Sequence, residues 1–300
     1  MYLKELIIMK IANPIYDVVF KYLMNDNKVA KLLLSAILEK EIIELDFAPA
    51  DGHNEVDRKE DELVVVKGIT VYQLDFAATI RDENGTVEKV LIEIQKAQKS
   101  TDIMRFRKYL GNQYSDETNT YSVAEPEAKY RKAIPLITIY FLGFKLDNIT
   151  CPVLKVKRDY IDAATKEVII AKEDFIESLT HDSYVIQIPY LEGKRRTELE
   201  ILLSVFDQSM LADRNNLKVL DIDEHNYPEK YNIVIKRLLR AISEEKIRKD
   251  MDTEERILVQ FNNYEETIKE KDKTIKEKDK TIKEKDELIE ELKRKLKNKI

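Results

Sequence analysis

Asp75 in "YQLDFAAT" and Glu93 in "VLIEIQK" stand alone among apolar residues in two neighbouring strand-like runs. A carboxylate costs several kcal/mol to bury without a partner, so such positions need a reason. Either the face that carries them is open to solvent, or a cation lies between them. Strand alternation puts Tyr72, Leu74, Phe76, Ala78 and Ile80 on one face, and Val71, Gln73, Asp75, Ala77 and Thr79 on the other. In the second run Val90, Ile92 and Ile94 share a face opposite to Leu91, Glu93 and Gln95.

The two runs are joined by "DENGT". A loop of Glu83, Asn84 and Gly85, with Gly85 in the left-handed conformation, pairs Asp82 with Thr86. Counting back along that ladder sets Asp75 directly across from Glu93. Two facing carboxylates repel in a plain sheet. A hard cation such as Mg²⁺ reverses the sign, because it takes carboxylate and carbonyl oxygens. The Gln95 amide falls beside the same spot. A slip of one residue would undo the alignment, so the inference hangs on the turn.

These residues carry a resemblance. An Asp, a strand turn and then Glu-x-Gln on the next strand resembles the PD-(D/E)XK nuclease motif in its Glu-x-Gln form. With "NPIYDVVFKYLM", "LLLSAIL", "YQLDF", "IEIQ" and "RFRKY" in that order, the chain resembles the PD-(D/E)XK nuclease family transposases, also called recombination-promoting nucleases. The likeness covers roughly residues 11 to 145. It implies a restriction-endonuclease-like α/β fold, a mixed sheet flanked by helices, and metal-dependent endonuclease activity on DNA of a mobile-element or recombination type. By the same resemblance Asp75 and Glu93 would hold Mg²⁺ or Mn²⁺ with the backbone carbonyl of Ile94. The ion would lower the pKa of a water and offset charge building on the phosphate.

Asp17 matches the acid on the family's first helix, and Lys21 lies one turn later on the same face. That pair reads equally as a catalytic contribution or as an i, i+4 salt bridge. Where the named motif has lysine this chain has Gln95, which orients a water but takes no proton. Lys96 points to the other face of its strand, which leaves Lys21 to supply the charge. Arg105, Arg107, Lys108 and Tyr109 fall on the next helix as DNA contacts. "KYRK" (129–132) and "GKRR" (193–196) read as solvated charge or as phosphate contacts. The alternative function is a catalytically weak or inactive nuclease fold, serving as a DNA-binding and oligomeric assembly module.

The elements that must position these residues follow from pattern. Residues 11 to 48 read as helices, with Asn13 capping, Pro14 in the first helical position and a second helix from Asp26 or Asn27. Residues 62 to 95 read as strands, 101 to 122 as a polar helix and 134 to 144 as a strand. "PVLKVK" and "YVIQIPY" are shorter strand candidates, and from Thr197 the chain reads as helical. This organisation gives a nuclease-like domain over 11–195, a helical region over 196–249 and a charged long helix over 250–300.

The tail repeats "TIKEKDK", placing Ile268, Ile275, Ile282, Ile289 and Leu296 seven apart. Lys271, Lys278 and Lys285 stand where a second seam residue belongs. The stripe broadens only from Leu288 through Leu292, Leu296 and Ile300. A solvated single helix and a coiled coil that makes a homo-oligomer are the two readings.

Composition narrows the class. Of 300 residues 43% are hydrophobic and 36% charged, enough for a core with an excess of surface charge. The single cysteine, Cys151, excludes an internal disulfide and a cysteine-based zinc site, and suits a reducing cytoplasm. His53, His181 and His225 show no zinc or triad spacing. No apolar run is long enough to span a bilayer. Eight residues precede Met9, an alternative start. A net charge of −6 argues against indiscriminate coating of nucleic acid, but leaves room for a basic groove. The expected location is the cytoplasm, on the nucleoid when DNA is bound.

Overall fold

A computed structural model describes residues 8–47, 72–82, 85–97, 103–125, 128–213 and 216–297. Within these, the side chains of residues 72–75, 105, 121–125, 128–132, 258, 261–262, 265 and 296–297 are outside the description. In chain order the first elements are β1 (Ile8–Ala12), α1 (Asp17–Met24), α2 (Asn27–Leu38), β2 (Glu41–Phe47), β3 (Tyr72–Arg81) and β4 (Val87–Ala97). Next come α3 (Ile103–Ser115), β5 (Thr120–Glu125), β6 (Ala128–Ala133), β7 (Leu136–Leu142), β8 (Val153–Val156), β9 (Tyr160–Ile161) and β10 (Val168–Ile169). The chain continues through α4 (Asp174–Leu179), β11 (Asp182–Gln187), α5 (Glu198–Leu203), β12 (Leu211–Asp213), β13 (Asn216–Asp223), α6 (Asn232–Ser243) and α7 (Glu245–Lys297).

The central sheet has six strands in the order β2-β3-β4-β7-β11-β8. Strands β2, β3 and β4 form an antiparallel meander, β4, β7 and β11 run parallel, and β8 returns antiparallel at the edge. Its architecture is therefore mixed α/β. Asp26 caps α2 by accepting from the amides of Lys28 and Val29, and Glu39 ends it in the left-handed conformation at φ 55°. Both helices lay apolar stripes on one face of the sheet: Val19, Phe20, Leu23, Leu33, Leu34 and Ile37 pack with Phe76, Ile80, Ile92, Ile94 and Ile139. Phe20 meets Phe141 edge-on at 5.1 Å between ring centres. The opposite face carries a smaller cluster under α3, in which Phe106 packs with Ala97, Leu142, Tyr140 and Val185.

Several elements depart from the sequence pattern. Two strands, β1 and β2, border the helices expected over 11–48, and β12 and β13 interrupt the region expected to be helical. Strand β1 pairs antiparallel with β13, more than 200 residues along the chain, and β12 completes that sheet. Local periodicity carries no record of so distant a partner. Asn13 does not cap α1, whose N-cap is Tyr16. It is fully buried, and its Nδ2 donates to Gln208 Oε1 at 2.8 Å and to the Leu217 carbonyl at 2.7 Å. The turn that Asn13 and Pro14 open is thus tied to the second sheet.

The strand expected over 62–71 lies outside the described residues. The polar helix is shorter than expected, ending at Ser115, and β5 and β6 follow it as a hairpin. The described residues up to Met251 fall in one compact unit and those from Asp252 in a second. In the second, Thr267, Thr274 and Thr281 donate their hydroxyls to carbonyls four residues back, and Ile268, Ile275, Ile282 and Ile289 are exposed. Among the described residues no helix is long and apolar enough to cross a membrane.

Candidate active site

The β3–β4 turn closes as its residues dictate. The Asp82 amide donates to the Thr86 carbonyl at 3.0 Å, the Thr86 amide donates to Asp82 Oδ1 at 2.8 Å, and Gly85 adopts φ 83°. That conformation is strained for any residue with a Cβ, so Gly85 fixes the loop. The resulting register pairs Asp75 with Glu93 and Gln73 with Gln95. Beyond β4 the same row continues to Thr138 on β7 and Ser183 on β11. In register, positions 75, 93, 138 and 183 thus align across four strands, and Phe106 of α3 packs on the face of β4 that carries Glu93.

Glu93 and Gln95 are each 1% exposed, and Thr138 is fully buried. Glu93 is therefore no ordinary surface acid, and the solvent-exposed alternative fails at this position. The Gln95 Nε2 donates to Glu93 Oε1, while among the described residues the buried Gln95 Oε1 has no hydrogen-bond partner. Thr138 Oγ1 donates to Ser183 Oγ at 2.8 Å. Tyr140, one pleat from Thr138, stacks on Phe106 of α3 at 5.0 Å. Burial pushes the Tyr140 hydroxyl above its usual range, a Thr138 hydrogen bond opposes this, and the charge of Glu93 reinforces it.

The other face of β4 holds a different arrangement. Lys96 is buried, forms an ion pair with Asp17 and donates to the Ile15 carbonyl, with its ammonium 5.9 Å from the Phe20 ring centre. Asp17 is therefore engaged by Lys96, a partner that neither the i, i+4 pairing with Lys21 nor a place beside Glu93 anticipates. Helix geometry makes Lys21 a neighbour of Asp17, but the sheet brings Lys96 to the same carboxylate from across the core.

The remaining candidates divide. Arg107 and Lys108 are exposed on α3, Tyr109 is half-buried, and Arg105 lies on the same helix with its side chain outside the described set. In "GKRR", Arg195 pairs with Asp207 at 3.1 Å and Arg196 with Glu200. Both arginines are engaged within the fold, and the Arg196 side chain is largely exposed. The "KYRK" side chains and His53 lie outside the described residues. Cys151 is a free thiol.

Thr138, Ser183 and Tyr114 on this face carry no motif in the sequence, and His181 joins them although its spacing suggests neither a zinc site nor a triad. Tyr114 of α3 and His181, just before β11, meet at 2.7 Å between the phenol oxygen and Nδ1. No spacing signal links residues 67 apart in sequence. Only the parallel β7–β11 pairing, which sets Thr138 beside Ser183, hints at the neighbourhood.

A hard divalent cation takes oxygen ligands such as the Glu93 carboxylate and the Gln95 amide oxygen. The buried, unsatisfied Gln95 Oε1 is the atom that most directly invites a further partner. Among the described side chains, which exclude that of Asp75, no three His, Cys, Asp or Glu groups are gathered as ligands of one ion. No family model, curated protein or solved structure matches the chain.

Proposed function

We propose that the protein is a metal-dependent DNA endonuclease of the restriction-endonuclease-like fold, related to the PD-(D/E)XK nuclease family transposases. The observation that carries this reading is the register that opposes Asp75 to Glu93, with Glu93 buried and braced by Gln95. Asp75 and Glu93, with the Ile94 carbonyl, would hold Mg²⁺ or Mn²⁺, which supplies Lewis-acid stabilisation of charge on the phosphate. Gln95 holds the Glu93 carboxylate in place through its amide and keeps its own oxygen for a water or the ion. Burial of Glu93 and Gln95 strengthens the charge interactions they make. Arg107 and Lys108, exposed on α3, would bind the DNA backbone, and α7 would join two copies of the chain.

Incubation of the full chain with supercoiled plasmid and Mg²⁺ tests the reading. Wild type should nick the plasmid, Asp75→Ala and Glu93→Ala should be folded and inactive, and Gln95→Ala should be impaired. A folded wild type that nicks nothing with Mg²⁺ or Mn²⁺ sinks the proposal, as does an Asp75→Ala variant as active as wild type. Binding of duplex DNA without cleavage would leave the module reading in its place.

A further inference from the structure

Hydrolysis of a phosphodiester needs a group to take the proton of the attacking water. Gln95 cannot, because an amide does not titrate in the working range. Lys96 cannot, because it sits on the opposite face in an ion pair with Asp17.

The Glu93 face carries another titratable pair. Phe106, Leu110 and Tyr114 recur at helical spacing along α3, and the first is buried against the sheet. Tyr114 therefore projects from the helix that covers this face. His181 precedes Ser183 by two residues and shares its side of the sheet. The two rings lie 5.9 Å apart, and the phenol oxygen is 2.7 Å from Nδ1. Burial raises the Tyr114 hydroxyl above its usual range, Arg158 opposes this, and the charge of Glu93 adds to it. Tyr114 and His181 thus meet on the side of the sheet that carries Glu93.

Burial lowers the His181 pKa, Arg158 lowers it further, and Asp182 opposes both. Arg158 is itself held by Asp182 at 2.9 Å and by Glu177 of α4 at 2.7 Å, which fixes the charges around the ring. A lowered pKa favours the neutral ring, the form that can accept a proton.

Resting on the nuclease reading, we propose that Tyr114 and His181 together carry the proton away from the attacking water. The water oxygen bonds to phosphorus while its proton passes to the Tyr114 oxygen. The Tyr114 proton moves at the same time to His181 Nδ1. The bond from phosphorus to the leaving sugar oxygen breaks, and that oxygen takes a proton from solvent. His181 returns its proton to solvent after turnover.

Single-turnover cleavage of a short duplex with Mg²⁺, between pH 5.5 and 9, tests the relay in wild type, Tyr114→Phe, His181→Gln and the double variant. Each single variant should lose about 100-fold at pH 7, and the double variant no more than either. The loss should shrink as pH rises and hydroxide replaces the base. Active wild type with variants whose pH profiles coincide with it overturns the relay alone, as do losses that multiply in the double variant. Inactive wild type overturns the nuclease reading and the relay with it. A second readout needs no cleavage: the His181 imidazole, assigned by its loss in His181→Gln, is titrated by NMR. Tyr114→Phe should raise its pKa, because a donor to the neutral ring is lost. Mg²⁺ should lower it in wild type and not in Glu93→Gln. A titration indifferent to both Tyr114 and Mg²⁺ overturns the coupling.

Discussion

Lys96 and Asp17 form an ion pair on the α1 face of the central sheet, while Glu93 and Gln95, on the same strand as Lys96, face α3. A single strand thus serves two purposes with alternate residues. One face locks the first helix to the sheet, and the other supplies the candidate chemistry. Removing one member of a buried pair leaves an uncompensated charge, so Lys96→Met should destabilise the fold by roughly 3–5 kcal/mol. The double variant Asp17→Leu, Lys96→Met should recover most of that, read as the urea midpoint. It should also keep its nicking activity. A folded but inactive double variant would assign Asp17 to the catalytic groups.

DNA affinity should depend on the outer side of α3. Arg107 is exposed there, so Arg107→Ala should weaken duplex binding and flatten the slope of affinity against salt by about one counterion. Asp75→Ala and Glu93→Ala should bind as wild type does. Fluorescence anisotropy at several salt concentrations reads both quantities, and an unchanged slope would return Arg107 to plain surface charge.

Acid stability should depend on the start of α5. Thr197 caps that helix by accepting from the Glu200 amide at 3.2 Å, and Glu200 accepts in turn from the Arg196 amide at 2.8 Å. The Arg196 side-chain hydrogen bond holds the Glu200 carboxyl below its usual range, against the effect of burial. A lowered folded pKa gives stability that is fully present above about pH 4.3 and lost as pH falls through the folded value. Arg196→Ala should therefore shift the acid-unfolding midpoint upward in pH, with little change at pH 7 in the shape of the far-UV spectrum. Coincident acid transitions would show that the pair contributes nothing.

Self-association should depend on the exposed isoleucines of α7. Ile268, Ile275 and Ile282 are each more than half exposed and recur every seven residues, half the density of a full coiled-coil seam. Deleting residues 265–300 should lower the oligomeric state measured by light scattering while leaving the β-sheet signature intact. Ile275→Lys with Ile282→Lys should do the same in the full-length chain. A monomer before and after either change would assign α7 to the solvated single-helix class.

What the sequence determined by itself is local. Asp82, Gly85 and Thr86 specify their loop through contacts within five residues, and the loop sets the register that opposes Asp75 to Glu93. Asp26 and the apolar spacing of "VAKLLLSAIL" likewise specify α2. Tertiary structure decided whatever depends on a distant partner. The alternation of β4 states that Glu93 and Ile94 face opposite ways, but only tertiary packing decides that both are buried. Asp17 has a sequence neighbour in Lys21, yet Lys96 arrives from across the core to pair with it. Strand β1 looks like a helix approach until β13 supplies its ladder, and Tyr114 and His181 become neighbours only when α3 and β11 are assembled. Turn geometry and helix caps are satisfied by atoms a few bonds away, whereas burial, ion pairing and strand partnership are settled by groups whose positions no local pattern encodes.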